Sequence, residues 1–235
     1  MKAGIIAAGL GERLARGGIS VPKPLARLGG EPLIARIIRA AASVKVGSIA
    51  CIVNDLNPAV AEYLRAGSWP VPVNLLVKTT PSSMESLFSL APLLGDEPFL
   101  LFTVDSVFPL TALEKFRAAV DAVPAASGML AVTRYVDDEK PLWAKLDDQR
   151  QITALGEPAR PSEFVTSGFY FFRPSIFTVI GEARARRFTA LRQFLSLLIE
   201  SGQTLYGVDV GKTIDVDHPE DLATAEAFLK ETADR

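Results

Sequence analysis

The chain has 235 residues, 49% of them hydrophobic and 22% charged, with a formal net charge of -2. That is enough to bury a full core, and the near-neutral balance argues against general binding to nucleic acid or to an anionic membrane. A single cysteine, Cys51, and a single histidine, His218, exclude an intrachain disulfide, a cysteine-rich metal site and a histidine-paired nucleophile.

The first apolar run, "AGIIAA" (3–8), follows Lys2 and gives way to the charged pair Glu12 and Arg13. It reads as a buried first strand rather than a secretory leader, and no run approaches the ~20 apolar residues that span a bilayer. A reducing, cytoplasmic location without membrane attachment is the expectation. "SIACIVN" (48–54), "VNLLVK" (73–78) and "FLLFTVD" (99–105) read as further buried strands. Between the strands, residues 32–44, 57–67 and 83–94 carry apolar side chains at helical spacing. This alternation predicts a mostly parallel sheet covered on both faces. Ligands of such sheets bind outside the carboxyl ends of the strands, here the loops after residues 8, 54, 78 and 105. From about residue 128 the rhythm changes to strand-like pieces separated by the charged turns "VDDEK" and "DDQR". A helix near 188–201, two short strands and a closing helix from Pro219 to about Lys230 complete the pattern. No linker, repeat or low-complexity tract interrupts 1–235, which predicts one continuous domain.

Residues 5–30, "IIAAGLGERLARGGISVPKPLARLGG", carry the chemistry. A dinucleotide fingerprint needs a third glycine and a long helix, but Leu14 takes the glycine position, and Gly17, Gly18, Pro22 and Pro24 break the helix. A P-loop needs Gly-Lys-Ser/Thr here, which is absent, and the similar Gly211-Lys212-Thr213 leads into a strand. What remains is an open anion-binding loop. Gly9 and Gly11 let backbone N–H groups approach a triphosphate closely, and Arg13 suits bidentate phosphate binding. Lys23, fixed between two prolines, is a point charge for a reacting phosphate.

"AAGLGERL…PKPLARLGGEPLI" resembles the signature of the sugar-phosphate nucleotidyltransferases, a group that includes the MobA-like NTP transferases. The resemblance implies a three-layer α/β/α fold with a mainly parallel mixed sheet, the nucleotide-diphospho-sugar transferase (GT-A-like) fold. It also implies transfer of a nucleoside monophosphate from an NTP to a sugar phosphate, polyol phosphate or related phosphorylated alcohol, with release of pyrophosphate. Residues to about 128 would form the nucleotide half and the remainder the acceptor half. The loop Ala8, Gly9, Leu10 and Gly11 would bind the nucleotide, and Lys23 and Arg13 would be catalytic. "KTTPSSMESL" (78–87), after a strand and opening a helix, resembles a pyrimidine-reading segment, with Ser83, Met84 and Ser86 at the base of CTP or UTP. "GEP" and "TSGFYFF" resemble acceptor-contacting segments, assigning Glu157 and Gly168 to the acceptor. Pro158 stands where those enzymes usually have a lysine. Self-association to a homo-oligomer is left open.

A triphosphate calls for Mg2+, held by one or two carboxylates together with phosphate oxygens. Asp105 ends an apolar strand, and "TIDVDHPEDL" (213–222) resembles the closing segment whose first aspartate, Asp215, would be the second ligand. Asp217 reads instead as the N-cap of the last helix. Were Asp217 the metal-sensitive acid, that alignment would be two residues out. "DVD" also fits the D-x-D of a glycosyltransferase using an NDP-sugar, and a non-catalytic nucleotide-binding homologue is a third reading. Cys51 and His218 are expected to be structural.

Overall fold

The computed structural model describes residues 1–136 and 140–233, so 137–139 of the charged turn "VDDEK" lie outside it. Strand β1 (Lys2–Ala7) leads through the short helix α1 (Glu12–Arg16) and a small hairpin, β2 (Arg27–Leu28) and β3 (Glu31–Pro32), into α2 (Leu33–Ser43). Then come β4 (Ile49–Val53), α3 (Pro58–Ala66), β5 (Val73–Val77), α4 (Ser83–Leu94) and β6 (Phe99–Thr103). These four main strands pair in the order β6-β1-β4-β5, parallel throughout.

Side chains alternate across the strands. Ala3, Ile5 and Ala7 of β1 enter one core with Ile34, Ile38 and Leu64, while Ile6 enters another with Leu87 and Leu90 of α4. Both faces of β1, β4 and β6 are buried, so these strands are near-continuous apolar runs, whereas β5 at the sheet edge is only partly buried and carries the exposed Asn74.

The second half comprises β7 (Ser106–Val107), α5 (Leu110–Ala122), β8 (Gly128–Thr133), β9 (Trp143–Leu146), β10 (Ile152–Leu155) and β11 (Phe164–Phe172). It continues with α6 (Ile180–Ala185), α7 (Leu191–Glu200), β12 (Leu205–Asp209), β13 (Ile214–Asp215) and α8 (Pro219–Ala233). Strand β11 pairs antiparallel with β6, β8 and β9 and so fuses the two halves into one nine-stranded mixed sheet. Helices α2, α3, α5 and α8 cover one face, and α4, α6 and α7 cover the other. The architecture is the expected three-layer α/β/α arrangement.

Helix α5 lies outside the expected set, although Leu113, Phe116 and Val120 recur at helical spacing and are all buried. Helix α1 is a correction: the glycine stretch keeps one and a half turns of helix, ended by Gly17, before the prolines take over. Leu14 gives this short helix its anchor, at 1% exposure.

Cys51 is wholly buried in β4, and burial pushes its thiol up to about 12. The native protein should therefore react slowly, if at all, with an aromatic disulfide reagent at pH 8, and stoichiometrically once unfolded. Fast native reaction would contradict a core position.

Candidate active site

The loop from β1 turns through Gly11 at φ 65°, a left-handed conformation that favours glycine. A Cβ there would lie 2.7 Å from the Cβ of Lys23, so this glycine also lets the lysine segment pack against the loop. Pro22 precedes, and Pro24 lies within, a single 3-10 turn, Lys23–Leu25, so the two prolines bracket Lys23. From it the Lys23 ammonium donates to Asp105 Oδ2 at 2.9 Å and to Asp217 Oδ1 at 2.8 Å. Arg13 pairs with the other oxygen of Asp217, Oδ2, at 2.9 Å. Asp217 thus bridges both cations that the sequence singles out.

Burial works against both charges of the central pair, and the pairing outweighs it. Desolvation would lower the Lys23 ammonium, but the charges of Asp105 and Asp217 and their hydrogen bonds raise it above 10.5. Desolvation would likewise raise the Asp105 carboxyl, but Lys23, with help from Thr103, holds it below 3.8. Both groups stay ionised at neutral pH.

Asp215 is placed differently from expectation. It lies opposite Ser106 in the β13–β7 ribbon and lines a small cavity with Thr133, Thr166 and Thr213. The chain leaves that ribbon at Val216, whose N–H donates to Asp105 O at 3.0 Å, and Asp217 enters the cleft. The position is set by packing across the whole chain, since a Cβ on Gly17 would lie 2.4 Å from Pro219 Cγ. The start of α8 is pressed against the opening loop. Nor does Asp217 act as the expected N-cap: Asp221, in the first turn of α8, accepts from the N–H groups of Asp217 at 2.8 Å and His218 at 2.6 Å. That is the return half of a capping box.

Around these charges is a cleft of about 560 Å3, walled by Ala8–Gly11, Arg13 and Lys23 on one side and by Thr79–Ser83 and Ser86 on the other. A groove of similar volume, about 520 Å3, runs along α2, α5 and α8, but it lacks the glycine loop and the Lys23 cluster. Chemistry, not volume, distinguishes the two. Ser82 caps α4 by accepting from Glu85 N–H at 3.2 Å, while Ser83 and Ser86 face the cleft. Ser86 Oγ and Thr80 Oγ1 share a hydrogen bond of 2.6 Å. Met84 is a correction: it is 1% exposed and packs in the core beneath α4, away from the cleft. Thr79, Thr80 and Ser82, which lie within the expected base-reading segment 78–87 without having been singled out, also line the cleft, and Thr103 at the end of β6 is a cleft residue that sequence reasoning missed.

The two acceptor residues are not brought into this cleft. Glu157 is 81% exposed and faces Arg160, whose guanidinium sits 5.0 Å over the ring of Trp143. A Cβ on Gly168 would lie 2.7 Å from both Thr103 Oγ1 and Ser106 Cβ. Its left-handed φ of 66° falls at a register shift between β11 and β8. Close packing of the protein on itself therefore already requires glycine there. Lys212 stands over the rings of Tyr135 and Phe228, consistent with an accidental Gly-Lys-Thr.

The residues present fit a hard divalent cation. Two carboxylate oxygens already converge on one cationic atom, and Mg2+ is commonly held by two carboxylates plus phosphate oxygens. Among the described residues no group of three or more His, Cys, Asp or Glu side chains is gathered, so an all-protein cage is not formed there.

Residues 3–193 match the MobA-like NTP transferase domain. The chain belongs to that family. It is 28% identical over 218 residues to CMP-5'-(3-aminopropyl)phosphonate synthase of Streptomyces rubellomurinus, covering 90% of this chain but 33% of that protein. Identity to the mannose-1-phosphate guanyltransferase of Candida albicans is 27% over 236 residues, 94% of this chain and 62% of the relative. The UTP--glucose-1-phosphate uridylyltransferase AglF of Haloferax volcanii is 22% identical over 98% of this chain and 97% of its own length. The chain therefore spans a third of the first of these relatives, under two thirds of the second and nearly all of the third. Among solved structures, the inositol-1-phosphate CTP transferase from T. maritima superposes with a TM-score of 0.81 at 20% identity, covering 98% of this chain and 96% of that one. A UDP-glucose pyrophosphorylase complexed with UDP-glucose gives 0.81 at 16% identity, with 98% of each chain covered. These structures share the fold. Among the described residues no helix is long and apolar enough to cross a membrane.

Proposed function

We propose that this chain transfers a nucleoside monophosphate from an NTP, a pyrimidine nucleotide such as CTP or UTP, to a small acceptor bearing a phosphate or phosphonate. One observation carries the reading: the glycine loop, Arg13, Lys23, Asp105 and Asp217 meet in a single cleft. The kinds of acceptor are suggested by the relatives, whose names include sugar 1-phosphates and a phosphonate. The hydroxyl cluster of Thr79, Thr80, Ser82, Ser83 and Ser86 supports a base with donors and acceptors at its edge.

The acceptor supplies its own nucleophile. Its phosphate or phosphonate oxygen forms a bond to the α-phosphorus, the bond from that phosphorus to the bridging oxygen breaks, and pyrophosphate leaves. No protein side chain needs to act as the nucleophile. In this reading Lys23 neutralises charge on the reacting phosphate, and Arg13 holds the leaving pyrophosphate. Asp105 and Asp217 would hold Mg2+, which when bound supplies positive charge to the phosphate oxygens. The rigid, proline-bracketed Lys23 and the buttressed loop make catalysis a matter of positioning and charge.

A panel of NTPs crossed with sugar 1-phosphates, polyol phosphates and aminoalkyl phosphonates, followed by pyrophosphate release with and without Mg2+, tests this. Release with a pyrimidine nucleotide, dependent on both acceptor and Mg2+, is expected. No release with any pair would overturn the reading, and NDP release from an NDP-sugar would replace it with glycosyl transfer.

A further inference from the structure

Strands β1 and β4 run side by side, with Ala7 opposite Val53, so the residue after β4, Asn54, lies beside the glycine loop. Asn54 Nδ2 donates to the carbonyl oxygens of Ala8 at 3.3 Å and Gly9 at 3.4 Å. Its Oδ1 accepts from Asn57 N–H at 3.1 Å, and Asn57 in turn caps α3 by accepting from Ala59 N–H at 3.1 Å. The oxygen end of the amide is thus held by the helix start, which leaves the nitrogen end for the loop.

We infer that Asn54 is a positioning residue for the nucleotide's phosphates, acting by turning two loop N–H groups into the cleft. The inference rests on the function proposed above. A trans peptide places the carbonyl of one residue and the N–H of the next on opposite sides. Holding the Ala8 and Gly9 carbonyls toward Asn54 therefore aims the N–H groups of Gly9 and Leu10 the other way. Among the described residues none accepts a hydrogen bond from either group. Both residues line the cleft with Arg13 and Lys23. Nothing lies within 4 Å of where a Gly9 Cβ would be, so a phosphate oxygen has room to approach. Successive backbone donors of this kind form an anion-binding concavity. The two carbonyl contacts exceed the usual 2.9–3.0 Å, so the work of Asn54 is to orient the peptides more than to bind the loop tightly.

Asn54→Asp and Asn54→Ala test the inference, with inorganic tripolyphosphate as the calorimetric probe and KM values for the NTP and the acceptor as kinetic ones. Aspartate keeps the acceptor for Asn57 N–H but loses the donor, whereas alanine removes the donor without adding charge. Both variants should bind tripolyphosphate roughly 10-fold or more weakly and raise the KM for the NTP, with the acceptor KM and the melting temperature of Asn54→Asp near wild type. Wild-type affinity in both variants overturns the role. A loss confined to Asn54→Asp also overturns it, because added charge alone would then explain the effect. Lys23→Ala separates this inference from the reading beneath it. If that variant loses the probe while the Asn54 variants keep it, only the positioning role fails. If Lys23→Ala also binds normally, the cleft is not the phosphate site and both fail.

Discussion

Replacing Lys23 by alanine should lower turnover at least ~10²-fold and lower the melting temperature as well. The catalytic loss follows from removing a fixed charge beside a reacting phosphate. The stability loss follows from the surroundings: Lys23 is 11% exposed and neutralises two carboxylates, which would then repel one another. Breaking a fully buried pair costs about 3–5 kcal/mol, and here the figure should be smaller because Asp105 is 33% exposed and Asp217 is 20% exposed. Millimolar Mg2+ should recover part of the lost melting temperature without restoring turnover, because the cation can bridge the carboxylates but cannot replace the lysine at the phosphate. Near-normal kinetics would mean that the opening motif has another purpose. The pH dependence has a definite sign. The Lys23 ammonium is raised, so its stabilisation is complete below 10.5 and is lost as pH rises through the higher folded value. The Asp105 carboxyl is lowered, so its contribution is complete above 3.8 and is lost as pH falls through the lower folded value. Between these limits the pair should give a flat stability profile, which denaturant titrations in the wild type and Lys23→Ala can compare.

The second large effect distinguishes two acids in one short segment. Asp217→Asn should reduce turnover by ~10²-fold or more and weaken Mg2+ dependence, since it removes a carboxylate held by both Arg13 and Lys23. Asp215→Asn should leave the Mg2+ titration nearly unchanged, because Asp215 faces the small cavity lined by Thr133, Thr166 and Thr213. Mg2+ titrations of activity together with melting curves of both variants make the comparison. If Asp215 proves the metal-sensitive position and Asp217 does not, the assignment of the second acid returns to the one that the motif suggests.

What was legible in the sequence was local or repeated along the chain. The apolar runs announced strands buried on both faces, the glycine and proline pattern excluded a long helix behind the first strand, and the loop's chemistry named Arg13 and Lys23. Tertiary structure decided which distant groups would meet them. "TIDVDHPEDL" contains two candidate acids, and nothing in its local pattern says which one turns into the cleft. Packing of Pro219 on Gly17, some two hundred residues away in the chain, brings Asp217 to Arg13 and leaves Asp215 in the ribbon with Ser106. In the same way, Met84 and the serines beside it are consecutive in sequence, yet the face of α4 sends the methionine into the core and the hydroxyls to the cleft. Gly168 looked like room for a ligand, but the register shift in β11 fills that room with Thr103 and Ser106. Backbone pattern and loop chemistry are written in neighbouring residues. Which side chains share a cavity depends on contacts between segments far apart, and only the folded chain makes them.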